Sequence, residues 1–476
     1  MRKMFASTIV LLLACAASAA AQPLFTDALP KEEFAAHRAR VVEKIGDGVA
    51  ILQGATEYPA YVKFRQSAQF FYVTGVEVPR AILVLDGRAK TVTLYLPPRN
   101  EGVERSEGPV LVPGEEAAAL TGIPSVVPRE RFAADLARFV QEGRLIYTPF
   151  RLESLAAGTP DRVAAYARAV AADPWDGRPS REAVFMQKIR AEAPQIEIRN
   201  LDPIIDEARV IKSPREIALM KQAAQIAGRA VMEAMRSASV GMYEYELEAI
   251  GDYVYKQHNA QGPAYFALVA AGKNAFYPHY HAAQSQLKDG DLVLWDWGPD
   301  YKYYGYDLTR MFPANGKFSA DQRELYGVYV KLYQAIIDPI RPNVAPRDII
   351  KEAVAKMDQI LAATRFLNPK NKAAAQRFVD GYRKRDANRL GHYVGMEVHD
   401  VTAPFDTLKP GMMIAIEPAM TIPEDRVYIR TEDTILVTET GHENLSSFVP
   451  LEPAAVEKLM TEQGLAKRPA KKKTTH

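Results

Sequence analysis

Residues 291–309 read DLVLWDWGPDYKYYGYDLT, and the fold turns on how this stretch is understood. Leu292, Leu294 and Asp296 alternate with Val293, Trp295 and Trp297, the two-residue period of a strand. Residues 303–312 are rich in aromatic and β-branched residues, which suits a pleated partner. A hairpin turning at Gly298, Pro299 and Asp300 brings Asp296 and Asp307 opposite or near each other. Two carboxylates held close between apolar strands repel and lose hydration unless a cation sits between them. Further donors for that cation must come from elsewhere in the chain.

At 476 residues the chain exceeds a single core and predicts two domains. Apolar residues make up 48% and charged residues 25%, as in soluble globular proteins, and a formal charge of +2 points away from a nucleic-acid partner. Arg2 and Lys3, the apolar run 9–17 and the alanines at 19–21 form the pattern of a cleaved export signal over residues 1–21. That run is too short for stable membrane insertion, so a periplasmic or secreted protein is expected. Cys15 is the only cysteine and lies inside the signal, which leaves the exported chain without disulfide or thiolate chemistry. The alternative is a lipoprotein acylated at Cys15.

The predicted class is α+β. Residues 22–175 read as an α/β domain, with a helix over 31–44, strands at 49–53, 70–73, 81–85 and 91–96, and helices near 115–120 and 131–142. His37 lies alone on the polar side of its helix and reads as solvated. The Pro- and Gly-containing run 173–179 marks a boundary, and 176–212 reads as a linker carrying a helix over 181–191 and a strand near 196–200. The second domain, 213–465, opens with Ser213 as N-cap, Pro214 in the first turn and Glu216 completing a capping box. Helices over 245–259, 320–341 and 346–363 should cover its sheet, with 368–385 an exposed helical insertion and 466–476 a disordered basic tail. A weak internal echo places Asp296 six residues after Gly290, and Glu417 six after Gly411.

Beyond Asp296 and Asp307, potential donors lie in PHYH (278–281), GHYVGMEVHD (391–400), IEP (416–418) and YIRTED (428–433). Taken singly, each has an ordinary reading: a turn acid, a core histidine, a strand-end acid, a surface pair of Arg430 with Glu432. Together, four carboxylates and one imidazole suit two hard divalent cations about 3.5–4 Å apart. Oxygen-rich ligation favours Mn, with Co or Zn also possible.

In their joint order these pieces resemble the aminopeptidase P and prolidase family of pita-bread metallopeptidases. The matching segments are WDWGPDYKYYGYDLTRMFPANGKF, LGHYVGMEVHD, LKPGMMIAIEPAM and IRTEDTILVTETGHENL, together with FRQSAQFFYVTG in the first domain. The resemblance implies a creatinase-like amino-terminal domain followed by a pita-bread domain. It implies the metal ligands Asp296, Asp307, His392, Glu417 and Glu432, with Asp307 and Glu432 bridging two ions and Glu417 also serving as acid/base. By the same resemblance His279 and His399 would bond the substrate carbonyl, and Arg430 would hold the carboxylates in place. The implied activity is an Xaa-Pro aminopeptidase working on peptides, in a homodimer or homotetramer. An Xaa-Pro dipeptidase, or a non-catalytic peptide- or protein-binding module, is the alternative. Asn388, Ala419 and Thr421 depart from the family pattern, which bears on proline preference and rate and leaves the ligand set intact.

Overall fold

In the computed structural model the described residues are 29–57, 61–154, 158–385 and 389–467. The export signal with Cys15, Asn388, and the basic tail after Lys467 lie outside them. Among the described residues no helix is long and apolar enough to cross a membrane.

The first domain is built on a six-stranded sheet ordered Ser125–Pro128, Thr91–Leu96, Ile82–Asp86, Val49–Gln53, Ile146–Thr148, Ile198–Asn200. Its two central pairings are antiparallel and the outer ones parallel. Because Ile198–Asn200 pairs with Ile146–Thr148, residues 176–212 are not a linker. The helix Arg181–Glu192 and that strand complete the first domain, and the helix Asp202–Val210 leads out of it. The Pro- and Gly-rich run interrupts regular structure without ending the domain.

Two further expectations are overturned here. Residues 70–73 lie in a helix, Ala68–Thr74, closed by Gly75 in the left-handed region at φ 68°. Phe70, Phe71, Tyr72 and Val73 are all buried, and a short run apolar on every side fits either element by pattern alone. His37 is not solvated but 1% exposed. It stacks on Tyr72 at 3.8 Å, with Nδ1 2.7 Å from the Tyr72 carbonyl and Nε2 3.6 Å from Glu33 and 3.9 Å from Glu216.

The second domain begins as its sequence predicts. Ser213 accepts from the Glu216 N–H while Glu216 accepts from the Ser213 N–H, and the helix Pro214–Ser237 follows. It packs against the helix Glu244–Gln257 over a core that includes Met220, Ala224, Ala227, Val231 and Met235. The helix Pro369–Arg383 is no exposed insertion: Ala374, Ala375, Phe378, Val379 and Tyr382 are buried against its neighbours. Its Lys and Arg residues mask that apolar face in a composition-based reading.

The opening hairpin forms with its turn moved. Leu292–Asp296 pairs with Thr309–Pro313, so that Asp296 faces Thr309. A second short ladder, Pro299–Tyr301 with Tyr304–Gly305, extends it, and the chain reverses at Lys302 and Tyr303 (φ 53° and 74°). Two consecutive positive φ values suit a two-residue hairpin turn yet cost non-glycine residues on the order of 1 kcal/mol each. Packing on the first domain offsets this: the Tyr303 ring stacks on Phe71 at 3.6 Å, and its hydroxyl bonds Glu77 and the Gln66 N–H.

The internal echo is structural. Leu292–Asp296 lies between Thr309–Pro313 and Leu268–Ala271, and Met413–Ile416 lies between His392–Tyr393 and Asp433–Val437. The glycines before them, Gly290 and Gly411, have φ of 84° and 86°. Each inner strand ends at an acid, Asp296 or, one residue on, Glu417. The halves meet at an antiparallel bridge between Thr309 and Glu432.

Arg209, 1% exposed at its side chain, joins the connecting helix to the second domain through Glu397 at 2.6 Å and Asp400 at 2.5 Å, and Lys212 meets Asp400 at 3.1 Å. Removing one partner of a buried pair strands the other charges. Arg209→Met should therefore cost roughly 3–5 kcal/mol, seen as a lower midpoint in denaturant-induced unfolding.

Candidate metal centre

Five side chains, in strands or within two residues of a strand end, converge at the seam between the halves. Asp296 ends one inner strand, and Asp307 lies two residues before its pairing partner Thr309. His392 is fixed by pairing with Ala415 on the strand that leads to Glu417. Only glycine fits before it, because a Cβ at Gly391 would stand 1.8 Å from the Ala415 carbonyl oxygen. Glu432 is placed by backbone bonds exchanged with Thr309 at 3.0 and 3.3 Å.

His392 Nε2 lies 3.4 Å from Glu417 Oε1, 3.5 Å from Asp307 Oδ2 and 3.7 Å from Glu432 Oε1. The other oxygen of each carboxylate is tied back. Thr309 donates to Glu432 Oε2 at 2.8 Å, Arg430 to Glu417 Oε2 at 3.0 Å, and Tyr265 to Asp307 Oδ1 at 2.6 Å. Asp296 is held by Arg430 and by Tyr265 at 2.8 Å. His392 Nδ1 sits 3.2 Å from the Tyr393 carbonyl, which favours a proton there and leaves Nε2 facing the carboxylates. His392 Nε2 and Glu432 Oε1 are buried with no hydrogen-bond partner among the described residues.

These orphaned atoms, each on a side chain oriented from behind, fit a divalent cation. The acids form clusters compatible with more than one ion: Asp296, Asp307 and Glu432 make one, His392, Glu417 and Glu432 another, and Asp307 also groups with His392 and His399. Glu432 and Asp307 therefore each belong with Asp296 and with His392. The arrangement suits divalent metal.

The charges behave accordingly. Burial, then Glu432 and Asp296, push Asp307 well above the usual carboxylate range. Burial and the Glu417 charge likewise raise Glu432, and burial raises Asp296 against the pull of Arg430. Burial pushes Glu417 up too, but the His392 ring and Arg430 outweigh it and hold Glu417 down at about 2. Burial acts to lower His392, yet Glu417, Glu432 and Asp307 raise it well above the usual histidine value. Without metal, the site collects protons in place of cations.

Arg430, which taken singly reads as half of a surface pair with Glu432 and by family resemblance as a holder of the carboxylates, is 4% exposed and bonds Asp296 and Glu417. His279 and His399 line a cavity of about 260 Å³ together with Asp296, Asp307, Glu417 and Glu432. The rings of His399 and His392 are 4.2 Å apart. Three groups escaped the sequence reading: Tyr265, which touches two of the acids, and Thr159 and Arg162, which reach the cavity from the first domain. Tyr265 belongs to no periodic run, and its only signal is a hydroxyl just before a strand.

Protons and metal compete for Asp307, Glu432 and His392, all with raised pKa, so affinity for divalent cations should fall as the pH drops from 7 to 5. Calorimetry in buffers of different ionisation enthalpy should record proton release when metal binds at pH 7; binding without proton release would contradict this account.

Residues 218–439 match the model of metallopeptidase family M24, and residues 34–147 that of the aminopeptidase P N-terminal domain. The chain is 31% identical over 456 residues to the Xaa-Pro aminopeptidase of Haemophilus influenzae, covering 91% of this chain and 98% of that one. It is 30% identical over 266 residues to the Xaa-Pro dipeptidase of Pyrococcus horikoshii, covering 55% of this chain and 70% of that one. Among solved structures, proline aminopeptidase P II from Yersinia pestis superposes with a TM-score of 0.73 at 29% identity, over 90% of this chain and 99% of that one. With both domains matched in order and nearly the whole length of a relative covered, the chain belongs to the M24 metallopeptidases, in the aminopeptidase P branch.

Proposed function

We infer that the protein is a metal-dependent Xaa-Pro aminopeptidase, which removes the first residue of peptides whose second residue is proline. The observation that carries this reading is the cavity in which Asp296, Asp307, Glu417 and Glu432, with His392 against three of them, meet His279 and His399. Proline lacks an amide N–H and has a fixed φ, so an Xaa-Pro bond calls for a shaped pocket more than for backbone pairing. Phe266, Leu268 and Val398 give the cavity an apolar side for the proline ring.

Asp296, Asp307, His392, Glu417 and Glu432 would hold two divalent ions, with Asp307 and Glu432 shared. Four carboxylates against one imidazole favour Mn, with Co or Zn as substitutes. Such ions supply Lewis acidity and ease deprotonation of an attacking water. Glu417, with Oε2 held by Arg430, can accept a proton at Oε1 and deliver it to the departing proline nitrogen. His279 and His399 bond the peptide around the scissile carbonyl. Arg430 keeps Asp296 and Glu417 in place.

A dipeptidase is the second reading, and the observation on its side is that Thr159 and Arg162 of the first domain form part of the cavity wall, where a guanidinium suits the free carboxylate of a short peptide. Metal-competent side chains at all five ligand positions weigh against a non-catalytic binding module. The amino-terminal sequence pattern supports a periplasmic or secreted location, and family resemblance supports a homodimer or homotetramer. Sequencing the mature amino terminus and light scattering check these two.

Mn-loaded protein should cleave an Xaa-Pro-Xaa tripeptide; cleavage of Xaa-Pro dipeptides alone would favour the dipeptidase, and silence toward both would overturn the reading. Glu417→Gln should lower kcat by about 10²–10⁴-fold. Asp307→Asn should reduce occupancy of both ions by metal analysis, whereas loss of one ion only would remove its shared role.

A further inference from the structure

The first domain places two consecutive residues on the two cleft histidines. The helix Pro160–Ala172 starts at Thr159, with proline in its first turn and Asp161 beside it, a favourable place for a negative charge. Thr159 is 4% exposed, and its hydroxyl donates to Asp161 Oδ1 at 2.5 Å. The other oxygen, Asp161 Oδ2, lies 2.9 Å from His399 Nδ1. One residue on, Arg162 Nη2 lies 3.3 Å from His279 Nδ1. Among the described residues Arg162 has no carboxylate partner.

The chemistry of these contacts leaves no choice of proton position. A carboxylate only accepts, so His399 Nδ1 must carry a proton. A guanidinium only donates, so His279 Nδ1 must be bare, and its proton resides on Nε2. Partial desolvation, with Arg162 and Arg430 nearby, lowers the pKa of His279 and keeps that ring neutral.

We propose that Asp161 and Arg162 are positioning residues that set the two cleft histidines in opposite tautomers. His279 presents an Nε2–H donor to the cleft, suited to a carbonyl oxygen gaining negative charge in the transition state. His399, in its neutral form, presents a bare Nε2, suited to an N–H group of the peptide. The first domain thereby takes part in the reaction through the histidines. The kinetic role rests on the Xaa-Pro aminopeptidase reading, whereas the tautomers do not.

Nitrogen-15 NMR of full-length, histidine-labelled protein reads the tautomers directly, with signals assigned through H279Q and H399Q. The expected result is Nε2–H for His279 and Nδ1–H for His399, with the first preference lost in R162A and the second in D161A. Nδ1–H on His279, or no change in either variant, overturns the proposal. In the Mn-loaded enzyme, D161A and R162A should each lower kcat by about tenfold or more with KM little changed. D161N and R162K, which keep an acceptor and a donor, should retain most activity and guard against misfolding. R162A added to H279A should cost less than about twofold more, because its partner is already gone. Losses that multiply in that double variant, or a KM rise confined to peptides with a free carboxylate, would mean that Arg162 binds substrate itself and would sink the positioning role. A wild-type protein that cleaves no Xaa-Pro peptide defeats the functional reading alone, since the NMR result stands apart from it.

Discussion

The structure depends on keeping like charges together where water cannot reach them. Asp296, Asp307 and Glu432 are each under 5% exposed, and Glu417 adjoins them. Two charges 4 Å apart interact by about 4 kcal/mol at an effective dielectric of 20, so a few such repulsions rival the whole stability of a domain. Neutralisation by protons or metal is a condition of the fold as much as of the chemistry. The site answers by giving Asp307, Glu417 and Glu432 one oxygen fixed by a donor behind it and one turned inward, while Asp296 has a donor on each oxygen. Tyr265 shows how tight the balance is: its single hydroxyl proton serves Asp296 and Asp307 at 2.8 and 2.6 Å, and only one can receive it at a time.

Holding repelling groups in place needs a stiff frame, and the doubled sheet supplies it. Each half presents an acid at the end of an inner strand, where ladders on both sides suppress movement. The seam is locked by the Thr309–Glu432 bridge and by Arg310, whose guanidinium bonds the Thr309 and Glu432 carbonyls at 2.9 and 2.8 Å and Asp433 at 2.6 Å. Ser446 and Tyr333 complete the bonds to Asp433. This cluster puts a cation just behind the acidic site yet spends it on Asp433, so the inward oxygens keep their negative potential for metal.

How much of this could be read in advance follows from the range of the interactions. The hairpin and the Ser213 capping box were legible because strand alternation and cap chemistry leave local marks, whereas the five candidate ligands were picked out by family resemblance and are brought together by the fold. The turn was misplaced because Gly298, Pro299 and Asp300 carry the usual turn signals, whereas Lys302 and Tyr303 turn only with Phe71 and Glu77 to anchor the ring. His37 was misjudged for the same reason: its partners Tyr72 and Glu216 are 35 and 179 residues away in sequence. Tyr265 and Arg162 act through contacts that no spacing in the chain encodes.

The first domain is the part whose use was least visible, since it carries no spacing that suggests chemistry. Its contacts nonetheless converge on two places. Phe71, Gln66 and Glu77 hold the turn of the hairpin that carries Asp296 and Asp307, and Arg65 reaches Asp300 on the same hairpin at 2.6 Å. Thr159, Asp161 and Arg162 reach the rim of the cleft and the two histidines. The buried pairs of Arg209 and Lys212 with Glu397 and Asp400 tie the connecting segment to the loop that carries His399. Each half of the reaction site, the acids on one side and the histidines on the other, is thus braced by residues outside the metal-binding domain. A pita-bread domain alone would keep every ligand and still lack what fixes the hairpin turn and orients the histidines.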